Sequence, residues 1–198
     1  MQDSAQAMRT LTELVQEFAD RFDEKKRRRN MIDFSDMEQF ALAILTRNTE
    51  GKIVPSAVAE EYQERFAEVM VDEYQDSNLV QETILTSVSG MSKGRNNMFM
   101  VGDVKQSIYR FRLSRPELFM EKYDTYSVES SPCQRIDLHK NFRSRKEVLD
   151  STNYLFEKLM FREFGGIEYD ENAALYAGAE FPWILQSCPV QPVRLHFR

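Results

Sequence analysis

The stretch VMVDEYQD, residues 69–76, decides the fold class of this chain. Its apolar residues end directly in two acids, Asp72 and Glu73, which is the pattern of a short buried strand. A second apolar run, residues 98–101, is followed in the same way by Gly and Asp103, and helical apolar spacing lies between the two runs. Strand, helix and strand in this order predict an α/β fold with a parallel sheet, whose ligands bind beyond the carboxyl ends of its strands.

The remaining predicted elements flank this sheet, and each is marked by apolar spacing or by a start signal. Apolar residues three and four positions apart predict an amphipathic helix over residues 4–29. The other predictions are a helix from a Ser35/Glu38 capping box, a helix opening at Pro55, a helix opening at Pro116, a strand at residues 135–138, a helix from a Ser144/Glu147 capping box and a strand at residues 190–197.

The composition excludes several protein classes. The chain has 198 residues, 42% of them apolar and 29% charged, with 7 Gly and 6 Pro, so it is neither collagen-like nor disordered. Cys133 and Cys188 are too few for a disulfide scaffold and lack the spacing of a zinc site. No apolar run approaches the ~20 residues of a membrane span, and the first residues lack a signal-peptide centre. These features predict a reducing, cytoplasmic setting.

The charge distribution is uneven. The net charge of −6 argues against a general nucleic-acid coat protein, because phosphate binding needs clustered cations. Residues 102–115 and 135–146 are nevertheless locally basic. Residues 25–29 are five consecutive cations at a predicted helix end, which fits either a solvated terminus that complements the helix dipole or a binding patch.

The acids after the first strand are candidates for hydrolytic chemistry. A carboxylate at a strand end, such as Asp72, holds Mg²⁺ largely through water, because Mg²⁺ keeps most of its hydration shell. The neighbouring Glu73 then takes a proton from an attacking water. A strand that ends at the pair turns its chain there, so both acids can reach one cleft. The alternative is a pair of solvated loop acids.

The stretch VGDVKQSIYRFR, residues 101–112, combines an amide with rings and guanidinium groups. Gln106 can sense a phosphate oxygen or an attacking water. Tyr109, Phe111 and Arg112 suit single-stranded nucleic acid, whose bases stack at about 1–3 kcal/mol each. The alternative is a turn whose aromatic rings fill a core and whose arginines are solvated.

The stretch LHKNFRSR, residues 138–145, places a ring beside a cation. Phe142 can stack on a purine, and Arg143 at a domain interface can neutralise the charge of a transferring phosphoryl group. The alternative makes Phe142 a core residue and Arg143 a member of a surface ion pair.

Three of these segments carry a family resemblance. DEYQD, GDVKQSIYRFR and NFRS resemble motifs II, III and IV of the superfamily 1 DNA helicases related to UvrD, Rep and RecB. MIDFSD at residues 31–36 and Leu113, where the UvrD and Rep branch usually has Gly, favour the branch that contains the A subunits of AddAB-type helicase-nucleases. The resemblance runs from about residue 14 to the end.

The resemblance implies a role for each matching residue. Asp72 would anchor the Mg²⁺ of MgATP, Glu73 would activate the hydrolytic water and Gln106 would sense the γ-phosphate. Phe142 would stack on the adenine, and Arg143 would reach the γ-phosphate from a second motor domain. The remaining implied site residues, Tyr109, Phe111 and Arg112, would contact DNA.

The resemblance also implies an architecture and partners. Residues 1–66 would form a helical accessory subdomain, residues 67–133 the C-terminal half of a first RecA-like motor domain, and residues 134–198 the start of a second. The partners would be single-stranded DNA, double-stranded DNA ends and an AddB-like second subunit. The activity would be ATP-driven 3′ to 5′ helicase and exonuclease action in double-strand break repair and recombination.

One departure from the family pattern limits what the chain can do alone. It contains no GxxxxGK[ST] phosphate-binding loop, since its only Gly-Lys dipeptide, Gly51-Lys52, has Thr46 where the first Gly must be. The sequence therefore predicts an internal piece of a larger helicase that does not hydrolyse ATP usefully by itself. Two alternatives stay open: a non-catalytic DNA- or protein-binding module, and a metal-dependent nuclease that uses Asp72, Glu73 and Asp76.

Overall fold

The computed structural model describes residues 2–165 and 167–181 of the chain. The described residues up to Asp124 form one compact unit, and those from Thr125 onward form a second. The domain boundaries predicted after residues 66 and 133 stay predictions.

The first unit mixes helices with short strands. Its four strands form one antiparallel hairpin and one parallel pair. In chain order its elements are α1 (Gln2–Arg28), α2 (Phe34–Leu45), β1 (Thr46–Thr49), β2 (Lys52–Pro55), α3 (Ala57–Arg65), β3 (Val69–Val71), α4 (Leu79–Val88), β4 (Met98–Met100) and α5 (Pro116–Thr125), the last of which reaches the first residue of the second unit.

The predicted parallel pair of strands is confirmed. Val69 lies opposite Met98, and the Val101 N–H donates to the Val71 carbonyl at 2.8 Å. The Tyr74 N–H returns a bond to the Val101 carbonyl at 2.9 Å, so the pairing continues past the strand ends. Since both strands run in the same direction, the residues that follow them emerge at one edge.

The second helix is confirmed, but its predicted start is wrong. The N-cap of α2 is Asp33, whose side chain accepts from the Asp36 N–H at 2.9 Å while the Asp36 carboxylate accepts from the Asp33 N–H at 2.9 Å. Ser35 lies inside the helix, and Glu38 accepts a bond from Gln81 Nε2 at 2.7 Å instead. Carboxylates supply the same acceptors as a Ser/Glu box, so an Asp pair two residues earlier caps the helix.

The third helix also begins later than predicted. Pro55 ends β2, and α3 starts at Ala57 with Ser56 as its N-cap. The hairpin before it was not predicted, because its first strand is polar and each of its strands is only four residues long. Glu50 and Gly51, with φ values of 53° and 81°, form its turn, as left-handed residues do in tight hairpins.

Helices α2, α3 and α4 pack together in the first unit. Leu45 and Ala59 are buried between them, and the fully buried Gln63 donates from Nε2 to the Ser87 carbonyl at 2.8 Å. α4 is capped by a reciprocal Asn78/Gln81 pair directly after the DEYQD segment. This cap fixes where the chain enters α4 and therefore where the acidic turn before it lies.

The long helix α1 confirms the predicted amphipathic segment. Its apolar stripe is exposed, with Phe18 at 68% and Phe22 at 45%. Lys26 bonds to Asp36 at 2.6 Å, which raises the pKa of Lys26 and lowers that of Asp36, and it thereby ties the end of α1 to α2. This cation of the basic run is therefore engaged in an intramolecular contact.

The second unit is built on a short parallel pair. Its elements are β5 (Lys140–Asn141), α6 (Lys146–Leu159), α7 (Arg162–Gly165) and β6 (Tyr176–Ala177), and β5 pairs with β6. Leu149 and Tyr169 are buried there. The strand predicted at residues 190–197 lies outside the described residues.

Two predictions in the second unit are wrong. Residues 135–138 form no strand, because the backbone pairing here stops at an isolated bridge between Ser127 and Gln134, in which the Arg135 N–H donates to the Ser127 carbonyl at 2.8 Å. The predicted Ser144/Glu147 capping box is also absent. α6 starts after Arg145 without a side-chain cap, while the Ser144 N–H donates to Asn141 Oδ1 at 2.8 Å. Asn141 thus shapes the turn before α6.

Within the described ranges, no helix is long and apolar enough to cross a bilayer.

Candidate functional site

The acidic pair lies where β3 ends. Asp72 and Glu73 are both exposed, and Glu73 adopts a left-handed backbone with φ of 50°. Its N–H donates to Asp72 Oδ1 at 2.9 Å, and a 3₁₀ turn over Tyr74–Asp76 follows. The chain therefore turns at the pair, as predicted, and both carboxylates face solvent. Backbone strain of this kind at a non-glycine residue is common at functional sites.

The surroundings of Asp72 fit a magnesium ion. One carboxylate oxygen accepts the Glu73 N–H, and the side chain stays exposed, so a hard oxygen ligand remains available. Mg²⁺ is usually bound by one or two carboxylates together with substrate phosphates and water. Among the residues that the structure describes, no three His, Cys, Asp or Glu side chains form a metal-binding group. Asp72, Glu73 and Asp76, the three acids of the nuclease alternative, are therefore not assembled into such a group among these residues.

Asp76 lies in a different environment from the exposed pair. Its Oδ1 atom is buried and has no hydrogen-bond partner in the described structure. Burial, and secondly the nearby negative charge of Glu73, raise the pKa of the Asp76 carboxyl. The ionised form of Asp76 is thus disfavoured in the folded chain.

Asp76→Asn is expected to stabilise the chain at neutral pH. Because the folded pKa of Asp76 is raised, the stability that its neutral form confers is present below about pH 4 and is lost as the pH rises through the folded pKa. Urea unfolding at pH values of about 3.5 and 7 should show a gain from the substitution that is larger at the higher pH. An equal effect at both pH values would contradict this account.

Two residues to which the sequence analysis gave no role, Gln75 and Asp103, lie between the predicted site residues. Gln75 is 1% exposed, and its Nε2 donates to Glu73 Oε2 at 2.6 Å. Its Oε1 accepts from the Asp103 N–H at 2.9 Å. The only sequence signal for Gln75 was its place inside the DEYQD segment. Its burial and its partner 28 residues away could not be predicted from local patterns.

Gln106 lies beyond the end of β4 and is exposed. Its Nε2 donates to Asp103 Oδ2 at 3.0 Å, and Lys105 Nζ donates to Asp103 Oδ1 at 2.8 Å. The Asp103 carboxylate therefore holds both polar side chains of the turn. Glu73 and Gln106 are joined by this chain of hydrogen bonds through Gln75 and Asp103.

The three predicted DNA-contacting residues form one exposed group, here called the aromatic–arginine cluster: Tyr109, Phe111 and Arg112. The two ring centroids are 6.1 Å apart, and the Arg112 guanidinium lies 5.4 Å from the first and 5.5 Å from the second. Tyr109 is 39% exposed and Phe111 76%. The alternative in which Phe111 fills a core is therefore wrong.

The local basic excess around this cluster is smaller than the sequence suggested. Arg110 pairs with Glu117 at 2.8 Å, and Arg115 approaches the same carboxylate at 3.5 Å. Glu117 lies two residues beyond the locally basic stretch, residues 102–115. Arg112 has no carboxylate within ion-pair distance in the described part of the chain. Its charge is therefore the one best available to a phosphate.

Leu113→Gly is expected to stabilise the chain by about 1 kcal/mol. Leu113 has a left-handed backbone with φ of 67°, which costs an L-residue roughly 1–2 kcal/mol and costs glycine much less. Its side chain is 78% exposed, so little stabilising burial offsets this cost. Urea unfolding of the chain measures the change. A Leu113→Ala variant is the control, since it keeps the backbone strain. A glycine variant no more stable than the alanine variant would contradict the argument.

Phe142 and Arg143 lie in the second unit, directly after β5. Both are exposed, with Phe142 at 65%. One edge of the Phe142 ring packs on Gly178, where an added Cβ would lie 2.7 Å from the ring. The Arg143 N–H donates to Asn141 Oδ1 at 2.9 Å, and its guanidinium has no carboxylate within ion-pair distance among the described residues. The alternative of a core phenylalanine and a surface ion pair is thus not observed.

The chain is similar to known helicases. Residues 1–127 match the family model of the UvrD/REP helicase N-terminal domain. Three similar curated proteins are each named as the A-type subunit of an ATP-dependent helicase/nuclease. They come from Lachnoclostridium phytofermentans (57% identical over 177 residues, 89% of this chain), Acetivibrio thermocellus (53% over 176 residues, 88%) and Listeria welshimeri (54% over 176 residues, 88%).

The chain spans only 13–14% of the length of these three relatives. The family model nevertheless covers more than half of the chain, including the DEYQD turn and the aromatic–arginine cluster. This chain belongs to the UvrD/REP helicase family.

Proposed function

We propose that this chain supplies part of the motor of an ATP-dependent DNA helicase and nuclease. The observation that carries the proposal is the continuous hydrogen-bonded edge that joins Glu73 to Gln106, with the exposed aromatic–arginine cluster a few residues further on. This edge would connect a hydrolytic site directly to a DNA-binding surface. Such a connection suits a motor in which the state of the bound nucleotide controls the contact with DNA.

Asp72 and Glu73 take the two acidic roles of ATP hydrolysis. Asp72 would hold the Mg²⁺ of MgATP through its exposed carboxylate, and this ion would neutralise phosphate charge. Glu73 would orient the attacking water and accept its proton. Gln106 would contact the γ-phosphate. To do so, its amide must leave Asp103 or share it, because the same Nε2 atom donates to that carboxylate.

The second unit contributes two further nucleotide contacts. The exposed ring of Phe142 would stack on the adenine base, and Arg143 would approach the γ-phosphate as an arginine finger. Asn141 supports both, since its side chain fixes the backbone of the turn that carries them. The second motor domain would begin near residue 134.

The aromatic–arginine cluster would bind single-stranded DNA. Phe111 and Tyr109 offer ring faces to bases, and Arg112 offers an unneutralised cation to a phosphate. Such binding tolerates any sequence, because every base has a face to stack. Sequence tolerance is what a translocating motor requires.

The parallel pair β3–β4 would be part of a RecA-like sheet. Met70 and Phe99 are cross-strand partners and are 69% and 52% exposed. An apolar sheet face of this kind is covered by helices in α/β proteins. We infer that the remaining strands and covering helices come from other parts of a longer polypeptide, that residues 1–66 form a helical subdomain, and that the first motor domain occupies residues 67–133.

The longer polypeptide would act in double-strand break repair and recombination. It would carry a nuclease activity and move 3′ to 5′ along single-stranded DNA from double-stranded ends, together with an AddB-like second subunit. These functions follow the family resemblance and the names of the relatives.

This chain alone is expected to be inactive as an ATPase. No part of its sequence matches a phosphate-binding loop, and its one Gly-Lys dipeptide lies in the β1–β2 hairpin rather than before a helix. Without backbone N–H groups to cradle the phosphates, ATP lacks its main binding contacts. ATP turnover by the chain that is lost in Glu73→Gln would overturn this part of the proposal.

A non-catalytic DNA-binding module is the second candidate, and the exposed aromatic–arginine cluster favours it because that surface needs no nucleotide. Titration of the chain with labelled single-stranded DNA at two salt concentrations, with and without MgATP, compares the candidates. Salt-sensitive DNA binding that MgATP does not change agrees with either candidate function. ATP-dependent binding would indicate a nucleotide site outside the residues assigned to it.

A chimeric protein separates the two candidates. It consists of the Lachnoclostridium phytofermentans relative with its matching stretch replaced by this chain, produced with that organism's second helicase/nuclease subunit. A motor segment should preserve unwinding of DNA with a 3′ single-stranded tail over DNA with a 5′ tail. A folded chimera that binds DNA but does not unwind it would favour the binding module.

A further inference from the structure

Gln75 is the buried centre of the edge that carries the site. It is 1% exposed, while Glu73 beside it is exposed, so a buried amide holds the side chain of a solvent-facing residue. The Gln75 Nε2 atom donates to Glu73 Oε2 at 2.6 Å. This bond selects one position of the carboxylate among those that the glutamate torsions allow.

The other end of the same amide reaches the second strand. Gln75 Oε1 accepts from the Asp103 N–H at 2.9 Å. Gly102 makes this approach feasible, because a Cβ at that position would lie 2.7 Å from Gln75 Oε1 and 3.0 Å from the Phe119 ring. The end of β4 is therefore shaped to receive this one side chain.

Asp103 extends the connection to Gln106, the proposed γ-phosphate sensor. Its carboxylate accepts from Gln106 Nε2 at 3.0 Å and from Lys105 Nζ at 2.8 Å. Movement of the Gln106 turn would therefore shift the Asp103 backbone, whose N–H donates to Gln75 Oε1. The path from Gln106 to Glu73 runs through the Asp103 residue and the Gln75 amide.

We propose that Gln75 is a positioning residue that aligns Glu73 for water activation and couples its alignment to the Asp103–Gln106 turn. The inference rests on the proposed function of Glu73. A glutamine is suited to this place because one side chain supplies both a donor and an acceptor. A glutamate would keep the acceptor toward Asp103, but in its ionised form it would lose the donor and add a second negative charge beside Glu73.

The test uses two substitutions of Gln75 in the chimeric protein. Gln75→Met keeps the length of the side chain and removes both bonds, and Gln75→Glu keeps the bond to Asp103 and, when its carboxyl is ionised, removes the bond to Glu73. In both variants kcat for ATP should fall about 10- to 100-fold while KM for ATP changes less than about threefold, because a misplaced catalytic group slows chemistry without weakening binding. The glutamate variant preserves the inter-strand bond and so addresses the concern that the methionine variant misfolds.

Gln63→Met is the matched control, since Gln63 is equally buried and its Nε2 donates to the Ser87 carbonyl and to Ser92 Oγ, neither of which belongs to a site residue. Its chimera should unfold at a lower temperature but keep kcat within about twofold. Unchanged kcat in both Gln75 variants of an active chimera would overturn the inference and leave the proposed function intact, as would a rise in KM with kcat unchanged. An inactive unsubstituted chimera would overturn both.

Discussion

Glu73→Gln in the chimeric protein is expected to abolish ATP turnover while leaving nucleotide binding unchanged. The amide keeps the shape of the side chain, and its carbonyl oxygen can still accept the bond from Gln75 Nε2. It cannot take a proton from water, and the loss of a general base costs about 100- to 10,000-fold in rate. Steady-state turnover and equilibrium binding of a fluorescent ATP analogue measure the two quantities separately.

Glu68→Gln is the control for this substitution. Glu68 is an exposed glutamate just before β3, at the opposite end of that strand from Glu73, so its variant should turn over ATP at the parental rate. A Glu73→Gln chimera that fails to bind nucleotide would contradict the general-base role, because it would place Glu73 among the binding contacts. Parental turnover would contradict it as well.

Phe111→Ala is expected to weaken single-stranded DNA binding by about 1–3 kcal/mol, or roughly 5- to 150-fold in Kd. Phe111 is 76% exposed, so it contributes little to the core, and its removal deletes one stacking face. The guanidinium of Arg112 also loses one of its two rings. Fluorescence anisotropy with labelled single-stranded DNA measures the change, on the chain itself if it binds and on the chimera otherwise.

Phe164→Ala provides the comparison for the loss of an exposed ring. Phe164 is 74% exposed and stacks on Phe161 in the second unit, and no role is assigned to either ring. Its substitution should leave the Kd for DNA within about twofold. Equal affinities for the Phe111→Ala variant and the parent would remove the aromatic–arginine cluster from the DNA-binding surface.

The parts of the fold that follow from local patterns were predictable. The two apolar runs became the parallel pair β3–β4, and the apolar spacing after the first of them became α4. Helix starts were less accurate, because several side chains near each start can accept the same N–H groups. At α2 an Asp33/Asp36 pair took the place of Ser35 and Glu38. In the second unit, a strand was predicted at residues 135–138, but residues 140–141 form β5 by pairing with β6. Local patterns do not reveal such a distant partner.

The sequence named individual residues of the candidate site, but the hydrogen bonds that connect them could not be predicted. The exposure of Asp72, Glu73 and Phe111 agrees with the roles that motif chemistry suggested, although those roles stay predictions. The position of Gln75 between two strands depends on pairing across 28 residues, which spacing along the chain does not reveal. The neutralisation of Arg110 by Glu117 likewise depends on how the chain turns into α5.

The most direct test of the motor assignment is ATP turnover by the chimeric protein in the presence and absence of single-stranded DNA. If this chain carries the hydrolytic acids and the DNA-coupling turn, the chimera should hydrolyse ATP, and DNA should stimulate that hydrolysis. Glu73→Gln should remove all of the activity, and Phe111→Ala should raise the DNA concentration needed for stimulation. A folded chimera that binds ATP but shows no DNA-stimulated turnover would contradict the account.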